Sequence, residues 1–353
     1  MKRINRILLV LAVLIAGMGT ATAQYVTTHA KTAMPGQQKG LYYALPRTVL
    51  QLDFVIEESQ LLRGPYSDYA GYVGADEYIV EDGVEYTLLS VNMTPCAEPD
   101  PNATFFIAVN SKKGDGMQFA LTSKGILQGV GADIQPVTEE TTRQEFAQPQ
   151  ANPSNVFKYQ YGSTRNREQM ARSAAEMIAK IRDEKIKLMT GFQETAFQLD
   201  TYRQMYADLD EMEHDYLSLF VGKRINRTYV KTVYVTPNKD VPLQSIAKFS
   251  TEEGFSAGTG GDGDLITVQT LSLQTTGSIN GPSQSAVESL SIENKLFYRI
   301  PETARVKVSM GSEVLLETRE TIAQYGVFML APLGKNKLVL NPQTGQVVNV
   351  GMD

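Results

Sequence analysis

The sequence predicts a mainly β protein of the α+β class, in which two related antiparallel β units flank an inserted antiparallel helical hairpin. Two observations predict this class. Three blocks of sequence recur in the same order, and a helical period replaces the β pattern between the two copies. We place the N-terminal β unit and a following linker at residues 41–160, the helical hairpin at 161–222 and the C-terminal β unit at 223–353.

The recurrence is clearest at the start of each unit, where LYYALPRTVLQLDF resembles LFYRIPETARVKVSM. The matched blocks are 41–54 with 296–310, 105–109 with 328–332, and 117–131 with 337–351. Self-similarity in a constant order indicates duplication. The alternative is that unrelated β-hairpins share turn and strand chemistry. We favour duplication, because three blocks match in sequence.

The chemistry of these blocks is that of strands and tight turns. TVLQLDFVI at 48–56 alternates apolar and polar residues, as a strand with one buried face does. Gly125, Gly254 and Gly345 each come late in a short polar turn, where a positive φ closes a hairpin without steric cost. Two further strands, rich in β-branched residues, are predicted at 227–235 and 264–274.

Four segments lack a period of either kind. We predict a flexible N-terminal tail at 24–40, a linker at 133–155, and loops at 254–263 and 275–282. These segments are rich in Gln, Thr, Ser, Gly and Pro, which connect elements rather than form them.

Two amphipathic helices are predicted at 166–190 and 201–220, each with an apolar stripe of helical spacing. The stripes are Met170, Ala174, Met177, Ile181 and Leu188 in the first helix, and Tyr202, Met205, Leu209, Met212, Tyr216 and Phe220 in the second. Thr201 with Gln204 has the spacing of a capping box, and Gly222 is a typical C-terminal stop. We expect both stripes to be core positions that face the other helix or a sheet.

Residues 1–23 have the three parts of a secretory signal peptide. A cationic start with Arg3 and Arg6 precedes the apolar stretch 7–18, and Ala21-Thr22-Ala23 supplies small residues for cleavage before Gln24. The apolar stretch has about 12 residues, too few for a membrane span of about 20. We therefore predict export to the periplasm, with no lipid anchor and no integral membrane segment after cleavage.

The composition restricts the classes of partner. The whole chain has a net charge of −6, and loss of the basic leader makes it more acidic, which argues against nucleic acid as a partner. Cys96 is the sole cysteine, so no intrachain disulfide can form. We expect Cys96 to be a small, apolar packing residue rather than a nucleophile.

Only His29 and His214 are available for histidine chemistry. We expect His29 to be solvated in the tail. Glu211 and His214 share a helix face, but a di-metal bundle needs a second such helix, which is absent, so His214 is expected to be a solvated surface residue. The string GGDGD at 260–264 resembles a calcium loop but lacks the later glutamate, and is expected to connect strands.

No residue is assigned a catalytic, cofactor-binding or metal-binding role, because the sequence contains no G-x-S-x-G, H-E-x-x-H or phosphate-loop motif. Whether the protein is an enzyme is left open, and a non-enzymatic protein is favoured. Paired carboxylates have no local signature, so a hydrolase that acts on envelope glycan or peptide is the alternative.

One aromatic run has two possible interpretations. Tyr66, Tyr69, Tyr72 and Tyr78 follow one another at irregular spacing. They are expected to pack on strands, or else to form a surface that contacts a ligand or partner.

Several motifs resemble a family of exported Bacteroidota proteins known only as a domain of unknown function (the one numbered four-eight-three-one). They are the P-[RE]-T strand starts, KLMTG at 187–191, and a helix with the pattern Leu209, Glu213, Tyr216. The resemblance spans the chain from about residue 41 to 350. It implies a cell-envelope location and a mixed β architecture with a helical hairpin, and it brings no catalytic residues. The leading hypothesis is a periplasmic binding or scaffold module with an envelope protein or polymer as its partner.

Overall fold

The computed structural model describes residues 25–34, 36, 39–109, 117–131, 157, 166–190, 199–334 and 336–352. The predicted signal peptide, the linker 133–155 and the connection around residue 191 lie outside these residues. Antiparallel strands dominate the described chain, and two long helices lie between its β-rich halves. The predicted mainly β class with a helical insertion is therefore confirmed.

The described chain contains fourteen strands and four helices. The strands are β1 (Tyr25–His29), β2 (Gly40–Leu62), β3 (Gly83–Val109), β4 (Gln118–Leu121), β5 (Leu127–Gly131), β6 (Lys223–Val235), β7 (Leu243–Ser250), β8 (Gly254–Ala257), β9 (Asp264–Ser272), β10 (Ser291–Glu293), β11 (Lys295–Met310), β12 (Glu313–Pro332), β13 (Asn336–Leu340) and β14 (Val347–Met352). The helices are a 3₁₀ helix (Ser67–Val73), α1 (Arg167–Thr190), α2 (Leu199–Val221) and α3 (Gln284–Ser289).

The described strands form three sheets, and these join the two halves of the chain. The first sheet has the order β10-β1-β3-β2-β6, the second β12-β11-β9-β7-β8 and the third β14-β13-β5-β4. Strands β6 and β10 come after residue 222 yet lie in the first sheet with β2 and β3. The two hairpins of the third sheet, one from each half, pair through β5 and β13.

The pairs β2–β3 and β11–β12 have the same irregularity at positions that align to within one residue. In the first pair the register moves from Ala44↔Thr104 to Pro46↔Pro99. In the second pair it moves from Ile300↔Val327 to Glu302↔Ile322. Each step advances two residues on one strand and five on its partner, which leaves the bulges 100–103 and 323–326. This shared geometry supports the relatedness of the two β units, since bulges are specific local features.

Each bulge contacts the strand of the other unit. Arg299 on β11 donates from Nη2 to Asp100 Oδ2 (3.0 Å), in the first bulge, and from Nη1 to the Pro46 carbonyl (3.0 Å). In the second bulge, Gln324 accepts from the Thr48 amide (2.8 Å) and donates to the Thr48 carbonyl (2.9 Å). The two units are therefore joined by reciprocal polar contacts as well as by apolar packing.

Two apolar clusters form the core of the β region. One lies between the first and second sheets and includes Leu50, Leu52, Phe54, Ile266 and Val306. The other is centred on aromatic rings from both units, in which Phe105 stacks on Phe297 at 4.6 Å. Burial of such large side chains is the main favourable contribution to folding.

The three predicted hairpin turns are confirmed. Gly125, Gly254 and Gly345 have φ values of 84°, 74° and 75°, in the left-handed region that favours glycine. The prediction of a loop over 254–263 is wrong in part, because its first four residues form β8 and pair with β7.

The prediction of a flexible tail at 24–40 is wrong for its first half. Tyr25–His29 form β1, which pairs with both β3 and β10 inside the first sheet. Tyr25, Thr27 and His29 are buried on one face of this strand, and the residues between them are half-buried. This alternation gives a short strand enough buried area to be fixed in place.

The two predicted long helices and their apolar stripes are confirmed. The stripe residues are buried or half-buried in α1 and α2. Gly222, with φ of 88°, follows the last residue of α2 as predicted, and a Cβ there would lie 2.4 Å from the Leu62 carbonyl oxygen. The capping box at Thr201 is wrong, because α2 begins at Leu199 and Gln204 donates to Asp208 instead.

Candidate functional site

The helices α1 and α2 form an arm whose root packs on the 3₁₀ helix. The apolar cluster at this root consists of Tyr66, Met170, Ala171, Ala174, Ile178, Ile181, Tyr216, Leu219 and Phe220. Apart from Tyr66, these side chains come from the first two-thirds of α1 and the last turns of α2, so the opposite end of the arm is remote from the root. A helix of 24 residues is about 36 Å long.

A cluster of charged side chains follows the root cluster along the arm. Lys185 lies on the apolar face of α1 and its side chain is 9% exposed. Its Nζ binds Asp210 Oδ1 (2.6 Å) and Glu213 Oε2 (2.7 Å) on α2, and Arg182 Nε binds Glu213 Oε1 (2.6 Å). We call Arg182, Lys185, Asp210 and Glu213 the charged latch, because it joins the two helices.

The charged latch favours the ionised forms of Lys185 and Glu213. Burial disfavours the charge of Lys185, but its hydrogen bonds with Asp210 and Glu213 outweigh this effect and raise its pKa. Burial likewise opposes ionisation of Glu213, yet the bonds from Lys185 and Arg182 lower its pKa. The sequence contains a signal for this latch, because Lys185 occupies a position of the apolar stripe and Asp210 and Glu213 share a helix face.

Beyond the charged latch, residues near the described end of α1 and the start of α2 line an apolar pocket of about 300 Å³. It is lined by Leu188, Met189, Tyr202, Arg203, Tyr206 and Ala207, which we call the arm tip. Met189 is 66% exposed and Tyr206 is 39% exposed, and Lys185 Nζ lies 5.5 Å from the centre of the Tyr206 ring. The neighbouring Ile186 and Leu199 are also exposed.

The arm tip has the chemistry of a contact surface. Adjacent exposed apolar side chains mark interaction sites more often than isolated ones do. Tyr, Met and Arg are enriched in protein interfaces, where they act as anchors. The tip is lined by apolar and aromatic side chains and one arginine, a combination that suits a contact surface.

The tyrosine run lies at the root of the arm and not on a strand, so that prediction is wrong. Tyr66 is buried against Phe220 at 5.7 Å between ring centres. Tyr69 stacks on Tyr72, and the Tyr72 hydroxyl donates to Glu168 on α1 (3.1 Å). These tyrosines therefore attach the arm to the body. Tyr72 and Tyr78 are also exposed, as the alternative interpretation requires of a surface.

The prediction that His29 is solvated is wrong. Its ring is fully buried, with Nε2 3.2 Å from the Asn102 carbonyl oxygen and Nδ1 accepting from the Lys31 amide (3.2 Å). It also makes an edge contact with Phe105 at 5.5 Å. His29 therefore joins β1 to the first bulge. His214 is exposed on α2, as expected.

Cys96 is half-buried on β3, as expected of a small packing residue. Burial raises the pKa of its thiol. A thiol with a raised pKa is a poor nucleophile at neutral pH.

A buried carboxylate that sequence reasoning missed lies beside the second bulge. Glu302 accepts hydrogen bonds from Ser272, from Lys239 (3.1 Å) and from Thr276 (3.2 Å), and Lys239 also donates to the Tyr325 carbonyl. Burial opposes its ionisation, but the bonds from Ser272 and Lys239 lower the pKa of Glu302. The geometry is that of a structural anion that holds the end of β9 and two loops.

The GGDGD string connects β8 and β9. The Gly261 carbonyl accepts from Lys248 (2.7 Å), and the Asp262 amide faces Glu253 (3.4 Å). A cation on the Gly261 carbonyl would compete with Lys248. Within the described residues, no three His, Cys, Asp or Glu side chains meet as metal ligands.

The sheets, the shared bulges and the arm define a mainly β protein that presents a helical hairpin with an apolar tip. The chain belongs to the family described as a domain of unknown function (DUF4831), whose model matches residues 39–348. Comparison with curated proteins and with solved structures gave no match. Neither α1 nor α2, nor any other helix of the described chain, has both the length and the apolar composition of a membrane span.

Proposed function

We propose that this protein is a non-enzymatic binding or scaffold module of the cell envelope, and that the arm tip is the surface that contacts its partner. The observation that carries the proposal is the apolar arm tip, which lies beyond the charged latch and exposes Met189 and Tyr206. The periplasmic location follows from the signal peptide that the sequence predicts at residues 1–23.

The arrangement of the arm supports a partner of protein nature. The latch fixes α1 against α2, so the tip side chains are held in place before a partner arrives. Preorganisation of this kind reduces the entropy lost on binding. An apolar pocket with an exposed methionine and tyrosine fits an apolar anchor residue of another protein.

The test is cross-linked capture from envelope extracts with matched variants. Met189→Glu and Tyr206→Glu put a charge into the arm tip, whereas Lys180→Glu changes an exposed residue of α1 outside it. We expect both tip variants to lose the captured protein and the Lys180 variant to retain it. Thermal unfolding of each variant checks that the fold is intact. Equal capture by all three variants, or capture of the bait alone, would contradict the proposal.

The location has a separate test. Fractionation of cells that express the full chain is expected to place the protein in the periplasmic fraction. The mass of the purified protein is expected to match a chain that begins at Gln24, with cyclisation of that residue to pyroglutamate. A full-length mass in the cytoplasmic fraction would contradict export.

A further inference from the structure

The strand β6 is an edge of the first sheet. It pairs with β2 over its entire length, from Leu50↔Val235 to Leu62↔Lys223, without a register shift. No described strand lies on its other side, and most of its residues are exposed or half-buried. A long and regular edge presents unpaired amide and carbonyl groups to which another extended chain can bind.

The related β unit shows what such an edge can hold. Because β2 corresponds to β11 and β3 to β12, the order β3-β2-β6 corresponds to β12-β11-β9. Strand β9 thus takes the place of β6, and it has a further antiparallel neighbour, β7, on its outer side. The first sheet lacks the equivalent of β7 among the described residues. In the related β unit, the position that corresponds to the outer side of β6 is therefore occupied by a strand, β7.

The charge of β6 selects the chemistry of a neighbour. The strand carries Lys223, Arg224, Arg227 and Lys231 and no acidic residue. Two of these cations already have carboxylate partners, Lys223 with Asp215 and Arg224 with Glu85. Arg227 and Lys231 are exposed and lie 6.0 and 5.7 Å from the Tyr229 ring.

We infer that β6 binds an extended acidic segment of a partner protein, which adds a strand to the first sheet. Residues 227, 229 and 231 point to one face of the strand. An added antiparallel strand would place side chains four positions apart opposite Arg227 and Lys231, with the side chain between them opposite Tyr229. Carboxylates in those two positions and an apolar residue between them complement the edge.

A second copy of this chain is a poorer occupant. Pairing of β6 with another β6 would bring eight basic residues and no acidic residue into adjacent strands. Like charges across neighbouring strands are destabilising. Basic side chains on an edge also protect against such self-association.

The probe is a fluorescein-labelled peptide of nine residues, the length of β9. Thr and Val fill the sequence, with two glutamates four positions apart. One control peptide moves the second glutamate by one position, to the opposite face. Another keeps both glutamates but has alternate amides N-methylated, which removes main-chain donors. Fluorescence anisotropy with the full mature chain measures the dissociation constants, and we expect each control peptide to bind at least tenfold more weakly.

Variants of the protein distinguish binding at the edge strand β6 from non-specific attraction between the acidic peptide and basic residues elsewhere. Arg227→Glu with Lys231→Glu is expected to weaken binding of the probe at least tenfold, whereas the exposed Arg319→Glu on β12 leaves it within twofold. Thermal unfolding checks the fold of both. Binding of the N-methylated peptide as strongly as the probe, no binding of the probe, or self-association that Arg227→Glu abolishes would each overturn the inference. Because Met189→Glu leaves β6 intact, failure here is distinguishable from failure of the arm-tip proposal.

Discussion

Arg299 and Asp100 form a buried ion pair that joins the second β unit to the bulge of the first. Their side chains are 3% and 8% exposed, and the guanidinium also lies 4.6 Å from the Phe328 ring. Burial lowers the pKa of Arg299, and the attraction of Asp100 opposes this effect. Pairing is what makes either charge tolerable at this depth.

Removal of either Arg299 or Asp100 alone is therefore expected to destabilise the protein. Arg299→Met leaves Asp100 buried without its cation, and we expect a loss of about 3–5 kcal/mol in the free energy of unfolding. The double variant Arg299→Met with Asp100→Leu removes both charges and is expected to recover most of that loss. Urea unfolding of the two single variants and the double variant gives the coupling energy. Additive losses would show that the two residues act independently.

A second contact between the two units involves an uncharged group, the hydroxyl of Tyr43. Its hydroxyl accepts from the Phe297 amide (3.0 Å) and lies 3.3 Å from the Phe297 carbonyl oxygen. Tyr43→Phe leaves that buried amide without this partner, so we expect a loss of about 1–3 kcal/mol. The exposed neighbour Tyr42 supplies the control, and Tyr42→Phe is expected to change stability by less than about 0.5 kcal/mol. Equal effects in chemical unfolding would contradict the role given to the Tyr43 hydroxyl.

The bulge in β12 needs a residue without a side chain at Gly326. A Cβ there would lie 1.9 Å from the Ile300 carbonyl oxygen, so the backbone of β11 or β12 must shift. We expect Gly326→Ala to destabilise the protein by about 1–3 kcal/mol, as overpacking does. Gly71→Ala is the matched control, because nothing lies within 4 Å of the added Cβ. That control is expected to be neutral or to stabilise by about 0.4–1 kcal/mol.

The charged latch makes the stability of the arm depend on pH, with one limit on the acidic side and one on the basic side. The pKa of Glu213 is lowered by folding, so its stabilisation is present above about pH 4.3 and is lost as the pH falls through the folded-state pKa. The pKa of Lys185 is raised, so its stabilisation is present below about pH 10.4 and is lost as the pH rises through the folded-state pKa. Between these two pH limits Lys185 and Glu213 are both ionised, and the ion pair between them joins α1 to α2.

The variant Lys185→Met checks this linkage. At neutral pH we expect it to lower the stability of the helices by about 1.5–3 kcal/mol, the range for hydrogen bonds to charged groups. The difference from the unmodified protein is expected to shrink as the pH falls through the lowered pKa of Glu213, because its carboxylate is then protonated. Circular dichroism of thermal unfolding at each pH measures it, with exposed Lys180→Met as the control. A difference that does not change with pH would exclude the ion pairs as its cause.

The sequence predicts the repeated features well, because they depend on local chemistry. Gly125, Gly254 and Gly345 close hairpins wherever they occur, and the apolar spacing of α1 and α2 is sufficient to identify them. The matched P-[RE]-T motifs also indicate the relatedness of the two units, although they lie inside β2 and β11, next to the bulges, and not at the strand starts as predicted.

The errors occur where distant segments decide the environment. His29 is buried because β3 and β10 lie on either side of β1, and neither neighbour is evident from the short alternation in YVTTH. Tyr69 and Tyr72 lie in a 3₁₀ helix that packs against α1 and α2, and this tertiary packing overrides the β preference of tyrosine. In the sequence, nothing distinguishes Glu302 and Asp100 from the other acidic residues, because only the folded bulges bring their partners close to them.

The position of β1 also has a consequence for folding kinetics. Thr27 donates to the carbonyl of Lys295, a contact that spans 268 residues, and β1 completes the first sheet only when β10 is present. Contacts between such distant segments close large loops and slow the search for the native topology. Synthesis proceeds from the N-terminus, so β1 must wait unpaired on that side until most of the polypeptide has emerged. Folding to the native state is therefore completed only at the end of synthesis. Until then the chain is not fully folded and can still pass through a narrow channel.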